Sequence, residues 1–305
     1  MASSPIVISG ATGNIGTAIA HTLLAAKQPV RVIGRSADKL KALVAKGAEA
    51  AVGSLEDAAF LASALRDASA AFIMIPPHLT TPDFTAYRTR VSEAFASALA
   101  AAPVTHAVVL SSIGAHRPAG LGPVSELHHH EARLAQFTRL HQLVLRPAFF
   151  MENHLQAIGL LKGLGIFGGL MGATAAFPQI ATRDIAAVAA RRLLARDFSA
   201  RTVVELLGTR DYSMDESTRI LGAAIGKADL RYMQFPAADA RAAMLGMGIS
   251  ASVADSFIEM YQGFNQGLAA PTQPRAGESA TPTTLEQFAS TVFAPAFTGG
   301  KQAHG

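Results

Sequence analysis

Residues 127–134 read LHHHEARL, three consecutive histidines directly before Glu131. Imidazole and carboxylate groups ligate metals, and they move protons near neutral pH. The spacing separates these two chemistries. At about 100° per residue on a helix, Leu127, Leu134 and Phe137 define the apolar face, with His130 and Glu131 on its opposite shoulders. His129 points away beside Arg133 and Gln136. His128 stands three residues before Glu131, within reach of a shared hydrogen bond. Adjacent histidines of this phase cannot converge on one ion, and the His128–Glu131 pair lacks a third ligand, so no metal site is expected. The choice left is between solvated or core-edge histidines and a proton donor. His128, His130 and Glu131 are the catalytic candidates.

A second set of residues has binding chemistry. Gly10, Gly13 and Gly16 in VISGATGNIGTAIAHTLL follow an apolar run directly and open an amphipathic helix. That context makes the glycine pattern a dinucleotide-binding motif. Gly10 allows a tight turn, Gly13 lets a pyrophosphate approach the backbone, and Gly16 lets helix and strand pack closely. Thr12, Asn14 and Ile15 complete the loop. About 20 residues further on, an NAD-binding chain places an acid for the ribose 2′-hydroxyl. Here the chain reads VIGRSADKL, with Arg35, Ser36 and Lys39 at that point. A guanidinium matches a phosphate bidentately, so the expected cofactor is NADP(H) over NAD(H).

These residues need a scaffold, and the chain predicts one. PIVISG, PVRVIG, AAFIMI and HAVVLSS, with a weaker AEAAVG between the second and third, alternate with alanine- and leucine-rich stretches of helical length. LVLRPAFF (143–150) and TVVELLG (202–208) continue the series. The pattern implies βαβ units, hence a doubly wound α/β fold with a parallel sheet. From about residue 211 the texture changes. SMDE (213–216) reads as a capping box, LRYMQF as a strand, and 237–246 and 250–267 as helices. Thr283 with Glu286 is expected to cap a last short helix, ahead of a disordered tail at 298–305. The expected division is a dinucleotide-binding domain over 1–152, rejoined by 178–210, and a smaller, mostly helical substrate cap from 153–177 and 211–305.

Bulk properties remove several function classes. The 305 residues carry a formal charge of +4 from scattered basic residues, with no stripe of Lys and Arg for nucleic acid. There is no cysteine, which excludes disulfides and thiolate chemistry. No secretory signal is visible, and Lys162 with six glycines argues against a membrane span at 157–177. That stretch reads instead as a glycine-rich apolar cover or lid over a pocket. The expectation is a cytoplasmic protein with a small-molecule substrate, a homo-oligomer being compatible with the sequence.

GATGNIG, GRS, LSSIGAH and LRPAFFMEN together resemble the NmrA-like group of atypical short-chain dehydrogenases/reductases, and RDIAAVAARRLL and LLGTRDYSMDE fit its pattern. The resemblance spans nearly the whole chain. It implies a Rossmann-like domain holding NADP(H), with contacts at Ser54, Leu55, Ile75 and Pro76. It places the nicotinamide end near Ser111, Ser112, Pro147 and Phe149. His78, Phe150, Met151 and Asn153 are the expected substrate-pocket residues. Short-chain reductases carry a Tyr-x-x-x-Lys pair on the helix before the sixth strand; in this register Leu127 and Glu131 stand there instead. The group includes NADPH-dependent reductases of quinones, azo and triphenylmethane dyes, and redox sensors that bind cofactor without catalysis. The first reading is a hydride-transferring reductase without a Tyr/Lys pair; the alternative is a non-catalytic NADP(H) sensor.

Overall fold

Each β-branched run becomes a strand of one seven-stranded, all-parallel sheet in the computed structural model, which describes residues 4–299. In chain order the first half runs β1 (Ile6–Ile8), α1 (Asn14–Ala25), β2 (Val30–Gly34), α2 (Ala37–Val44), β3 (Glu49–Val52) and α3 (Ala58–Leu65). It continues with β4 (Ala70–Ile73), α4 (Phe84–Ala101), β5 (His106–Leu110), α5 (Pro123–Leu134) and β6 (His141–Pro147). β10 (Arg201–Leu206), following α7 (Thr182–Ala195), adds the seventh strand. The spatial order is β10-β6-β5-β4-β1-β2-β3, a Rossmann-like sheet. Its strand order reverses between β1, which pairs with β2 through Ile6↔Val30, and β4, which it meets through Ile6↔Ala70.

Period-two alternation divides the strand side chains between two cores. Ile6, Ile8, Val32, Phe72, Val108 and Leu145 pack with α1, α2 and α7. Val7, Ile33, Ile73, Val109 and Val144 pack with α3, α4 and Leu134 of α5 on the opposite face. A parallel sheet covered on both sides needs such near-continuous apolar strands.

The rest of the chain builds a third core. It comprises β7 (Phe149–Phe150), a 3₁₀ turn over Met151–Ala157, α6 (Ile158–Leu164), β8 (Phe167–Gly169) and β9 (Phe177–Ile180). Further on come β11 (Asp211–Tyr212), α8 (Met214–Ala224), β12 (Tyr232–Gln234), α9 (Ala237–Gly246) and α10 (Ala251–Asn265). The last elements, α11 (Leu285–Phe288) and α12 (Ala294–Thr298), are joined by a π turn over Ala289–Phe293. Met151, Phe167, Tyr212, Leu221, Phe288 and Phe293 form the centre of this core.

Three local expectations are corrected. The 157–177 stretch, expected as a glycine-rich cover or lid, is built into the third core: β8 pairs with β12, Phe167 is buried, and Asn265 binds Leu170 and Gly172. The last cap lies one residue later than Thr283 and Glu286, as a reciprocal Thr284–Gln287 box. Thr283 instead donates to Asp184 and accepts from Arg183, docking the segment onto α7. Ser213 caps Glu216 N–H as read, but the Glu216 carboxylate pairs with Arg210 rather than closing the box. The expected disordered tail lies, from residue 300 on, outside the described residues.

The free edge of β10 is occupied by a loop. Gln273 accepts from Glu205 N–H and donates to Val203 C=O, while Thr272 and Gln273 N–H groups donate to the Glu205 carboxylate. Leu207 N–H donates to Ser279 C=O further along.

Candidate functional site

The turn after β1 is built as the glycine spacing requires. Gly10 adopts φ +65°, a left-handed conformation that side chains disfavour, and a Cβ there would strike the Met74 side chain. At Gly16 a Cβ would lie 2.4 Å from Gly10 O, so helix and turn touch only because this residue is glycine. Gly13 differs, since a Cβ would meet only Gly10 O at 3.5 Å. It is the N-cap of α1 without a side-chain cap and with no acid in the first turn. Thr12, Gly13 and Asn14 are exposed, so the positive end of the helix opens outward, while Ile15 is buried in the core below.

At the carboxyl end of β2, Arg35 is exposed, and its guanidinium has no hydrogen-bond or ion-pair partner among the described residues. Ser36 starts α2 without using its hydroxyl as a cap, and Lys39 is exposed one turn on. No carboxylate pairs with this group; the nearby acid Asp38 is held by Lys41. The open cradle at Gly13 and an unpaired cation at this strand end fit a cofactor with a pyrophosphate and a 2′-phosphate. Ser54 uses its hydroxyl locally, accepting from Glu56 N–H, and Leu55 is buried beside it.

A cleft of about 270 Å³, at the small end of ligand-site sizes, opens beyond the carboxyl ends of β4, β5 and β6. Ile75, Ser111, Ser112, Phe149, Phe150 and Asn153 line it, as does Leu127 of α5. Pro76, Pro147, Met151 and His78 are not among its lining residues. Pro76 C=O accepts from Tyr87 Oη, Met151 is buried in the third core, and His78 packs edge-on against Tyr87 at 5.2 Å. A second concavity, between Gly165–Ile166 and Lys227–Met233, draws no lining residue from the sheet.

α5 keeps the phase expected for it, with Leu134 buried, Leu127 and Phe137 packed against the cores and His129 exposed, but its shoulders His130 and Glu131 are buried as well. Its buried residues are Pro123, Val124, Ser125, His130, Glu131 and Leu134, while Leu127 is only half-buried at the cleft wall. Glu131 is the most heavily bonded side chain in the region. It accepts from Ser111 Oγ, from Arg146 Nε and Nη2, and from Arg201 Nη2. His130 is buried, with Nδ1 hydrogen-bonded to Ser92 Oγ at 2.8 Å and Nε2 without a partner. Burial, with the Arg88 and Arg133 charges adding to it, pushes its imidazole down to about 3. His130 is therefore neutral at pH 7 and has no proton to donate as an imidazolium. His128 donates from Nδ1 to Ala115 C=O instead of bonding Glu131, and His129 is exposed. None of the three histidines lines the cleft, and no described group of three or more His, Asp or Glu residues could hold a metal ion.

Several lining residues escaped the sequence reading. Pro123 and Val124 come from the start of α5, and Met260, Tyr261 and Phe264 come from α10. Burial pushes the Tyr261 phenol up. Arg88 of α4 is 5% exposed and also lines the cleft. A signal for it exists in the sequence: Phe84, Arg88, Val91 and Phe95 fall at helical spacing, which puts a cation on an apolar stripe.

Among the described residues no helix is long and apolar enough to cross a membrane. In comparisons with known proteins, 256 residues, 84% of this chain, match 86% of an NAD(P)H azoreductase of Xenophilus azovorans at 29% identity. A solved NADPH-dependent quinone oxidoreductase of Escherichia coli, in complex with NADPH, superposes with TM-score 0.76 at 25% identity, over 94% of this chain and 99% of that one. Triphenylmethane reductase of Citrobacter sp., complexed with NADP(H), shares the fold with TM-score 0.74 at 18% identity, over 92% of this chain and 98% of that one. The family model described as NmrA-like matches residues 2–289, so the glycine turn, the reversed strand order and the cleft at the sheet's carboxyl end belong to a member of the NmrA-like family.

Proposed function

We propose that this chain is an NADPH-dependent reductase of a flat, apolar, electron-poor acceptor, such as a quinone or an azo compound. One observation carries the reading. Leu127 presents an aliphatic wall to the cleft where a tyrosine hydroxyl would stand, and Glu131 is turned away into a cluster with Ser111, Arg146 and Arg201. Carbonyl–alcohol chemistry of the short-chain reductase kind uses a tyrosine hydroxyl with a lysine on this helix, and α5 carries neither. Addition of hydride to an electron-poor acceptor chiefly needs orientation and exclusion of water. The azoreductase and quinone oxidoreductase among the relatives support the same class of acceptor.

When bound, the cofactor supplies the hydride. The exposed N-terminus of α1 at Gly13 receives the pyrophosphate, and Arg35 with Ser36 and Lys39 receives the 2′-phosphate. Ser111, Ser112 and Phe149 border the nicotinamide end, while Leu127, Phe150, Tyr261 and Phe264 enclose the acceptor. The segments 153–177 and 211–305 act as the substrate cap, with α10 as its inner wall. The proton completing the reduction comes from water; Ser112 and Asn153 are polar residues on the cleft wall.

NADPH consumption across a panel of quinones and azo compounds tests this. Steady turnover with at least one acceptor class is the expected result. Tight NADPH binding without turnover on any of them would overturn it, in favour of a cofactor-sensing protein.

A further inference from the structure

Two arginines are buried among the described residues, and they are treated differently. Arg31 of β2 is ion-paired with Glu49 at 2.9 Å and with Asp67 at 2.6 Å. Arg88 of α4, 5% exposed, donates no hydrogen bond to any described residue and has no carboxylate within ion-pair distance. Its Nε is buried without a partner, and its guanidinium carbon stands 5.5 Å from the Phe84 ring centroid. Burial lowers its pKa to about 10, with Glu126 and Tyr87 opposing from longer range, so it stays charged at neutral pH.

A buried cation without a counter-ion is costly, and folds rarely keep one unless a ligand supplies the missing charge. The side chain also lines the cleft, among Ile75, Leu127, Tyr261 and Phe264. Its surroundings are mostly apolar and leave planar donors that match an oxyanion bidentately.

We propose that Arg88 anchors an anionic oxygen group, a carboxylate or sulfonate, carried by the aromatic acceptor, so that the cleft selects acidic over neutral acceptors. This rests on the cleft being the acceptor site. The apolar and aromatic lining takes the ring system, and the guanidinium fixes its orientation by gripping one end. The same charge excludes cationic aromatics, for which no carboxylate lines the cleft.

The test reads binding, not turnover. Protein saturated with NADP⁺ is titrated by calorimetry with 2-naphthoate and with its neutral analogue 2-naphthamide. The wild type is expected to bind the carboxylate at least tenfold more tightly, and Arg88→Met, which fills the same space without charge, should abolish that preference. Arg88→Gln should lose it as well, and serves if the methionine variant does not fold. Equal affinities in the wild type, or a preference surviving in either variant, would overturn the anchor. So would a matching loss of NADP⁺ affinity in Arg88→Met, which would assign the anion to the cofactor itself. Turnover of neutral quinones alongside indifferent naphthoate binding would remove this inference and leave the reductase reading intact.

Discussion

Ser111 Oγ donates to Glu131 Oε1 across 2.5 Å, joining the end of β5 to the middle of α5. The strand-end serine is thereby committed away from the cleft it borders. The carboxylate is in turn held by Arg146 and Arg201 from two neighbouring strands. At Glu131, the position that the sequence register equates with the lysine of short-chain reductases, this chain has a cluster of one serine and two arginines that clamps the carboxylate.

The clamp predicts a stability effect. Glu131→Ala leaves Arg146, whose side chain is 12% exposed, beside an empty anion position and should cost about 3–5 kcal/mol. Glu131→Gln, which keeps hydrogen-bond acceptance, should cost less. Urea denaturation measures both; an unchanged midpoint for Glu131→Ala would contradict the clamp.

The three glycines should separate folding from binding. Gly16→Ala puts a methyl 2.4 Å from Gly10 O and should destabilise the fold by about 1–3 kcal/mol. Gly13→Ala meets only an ordinary contact at 3.5 Å and should fold normally while weakening NADPH binding. Thermal unfolding with and without NADPH distinguishes them. Equal loss of apo stability in both variants would refute the division.

Arg35→Ala should weaken NADPH about ten- to a hundredfold and barely affect NADH, because only the phosphorylated cofactor uses the guanidinium. Dissociation constants for both cofactors decide the matter. Parallel losses would rule out the phosphate role.

Two buried imidazoles give stability a particular pH dependence. His130 is lowered from 6.5 to about 3, and His154, hydrogen-bonded to Gln179, from 6.5 to about 4, both chiefly by burial. The unfolded chain therefore takes up these protons first. Their contribution is complete above pH 6.5, and it falls by about 1.4 kcal/mol per pH unit per group on acidification. It levels off near 4 for His154 and near 3 for His130. Denaturation midpoints for His130→Leu, against pH, should fall less steeply than the wild type between pH 6 and about 4. A slope as steep as that of the wild type would contradict a neutral buried His130.

What the sequence made legible was whatever depends on neighbours in the chain. Gly10 and Gly16 answer to backbone geometry within a few residues, and the strand–helix alternation answers to periodicity. The phase of α5 was legible, but not the full burial of its shoulders His130 and Glu131, which are drawn inward by partners far along the chain. Ser92, Arg146 and Arg201 come from α4, β6 and β10. The one-residue slip from Thr283 to Thr284 has the same origin, since Asp184 claims the first hydroxyl. Arg88 and Tyr261 face one cleft from helices far apart in sequence, a meeting that no local pattern encodes.

The loop at 271–284 has an outsized effect on how copies of this protein can meet. With the Gln273 amide taking the place of a strand residue against Val203 and Glu205, and Ser279 receiving Leu207, β10 offers no free ladder there. Sheet-to-sheet growth into an endless ribbon is blocked on that flank by this loop, with the Gln273 side chain bonded to the strand backbone itself. In the seven-stranded sheet, the other edge is the β3 flank. Loss of the Gln273 amide is expected to free the Val203 C=O and Glu205 N–H for pairing with another copy, which light scattering would read.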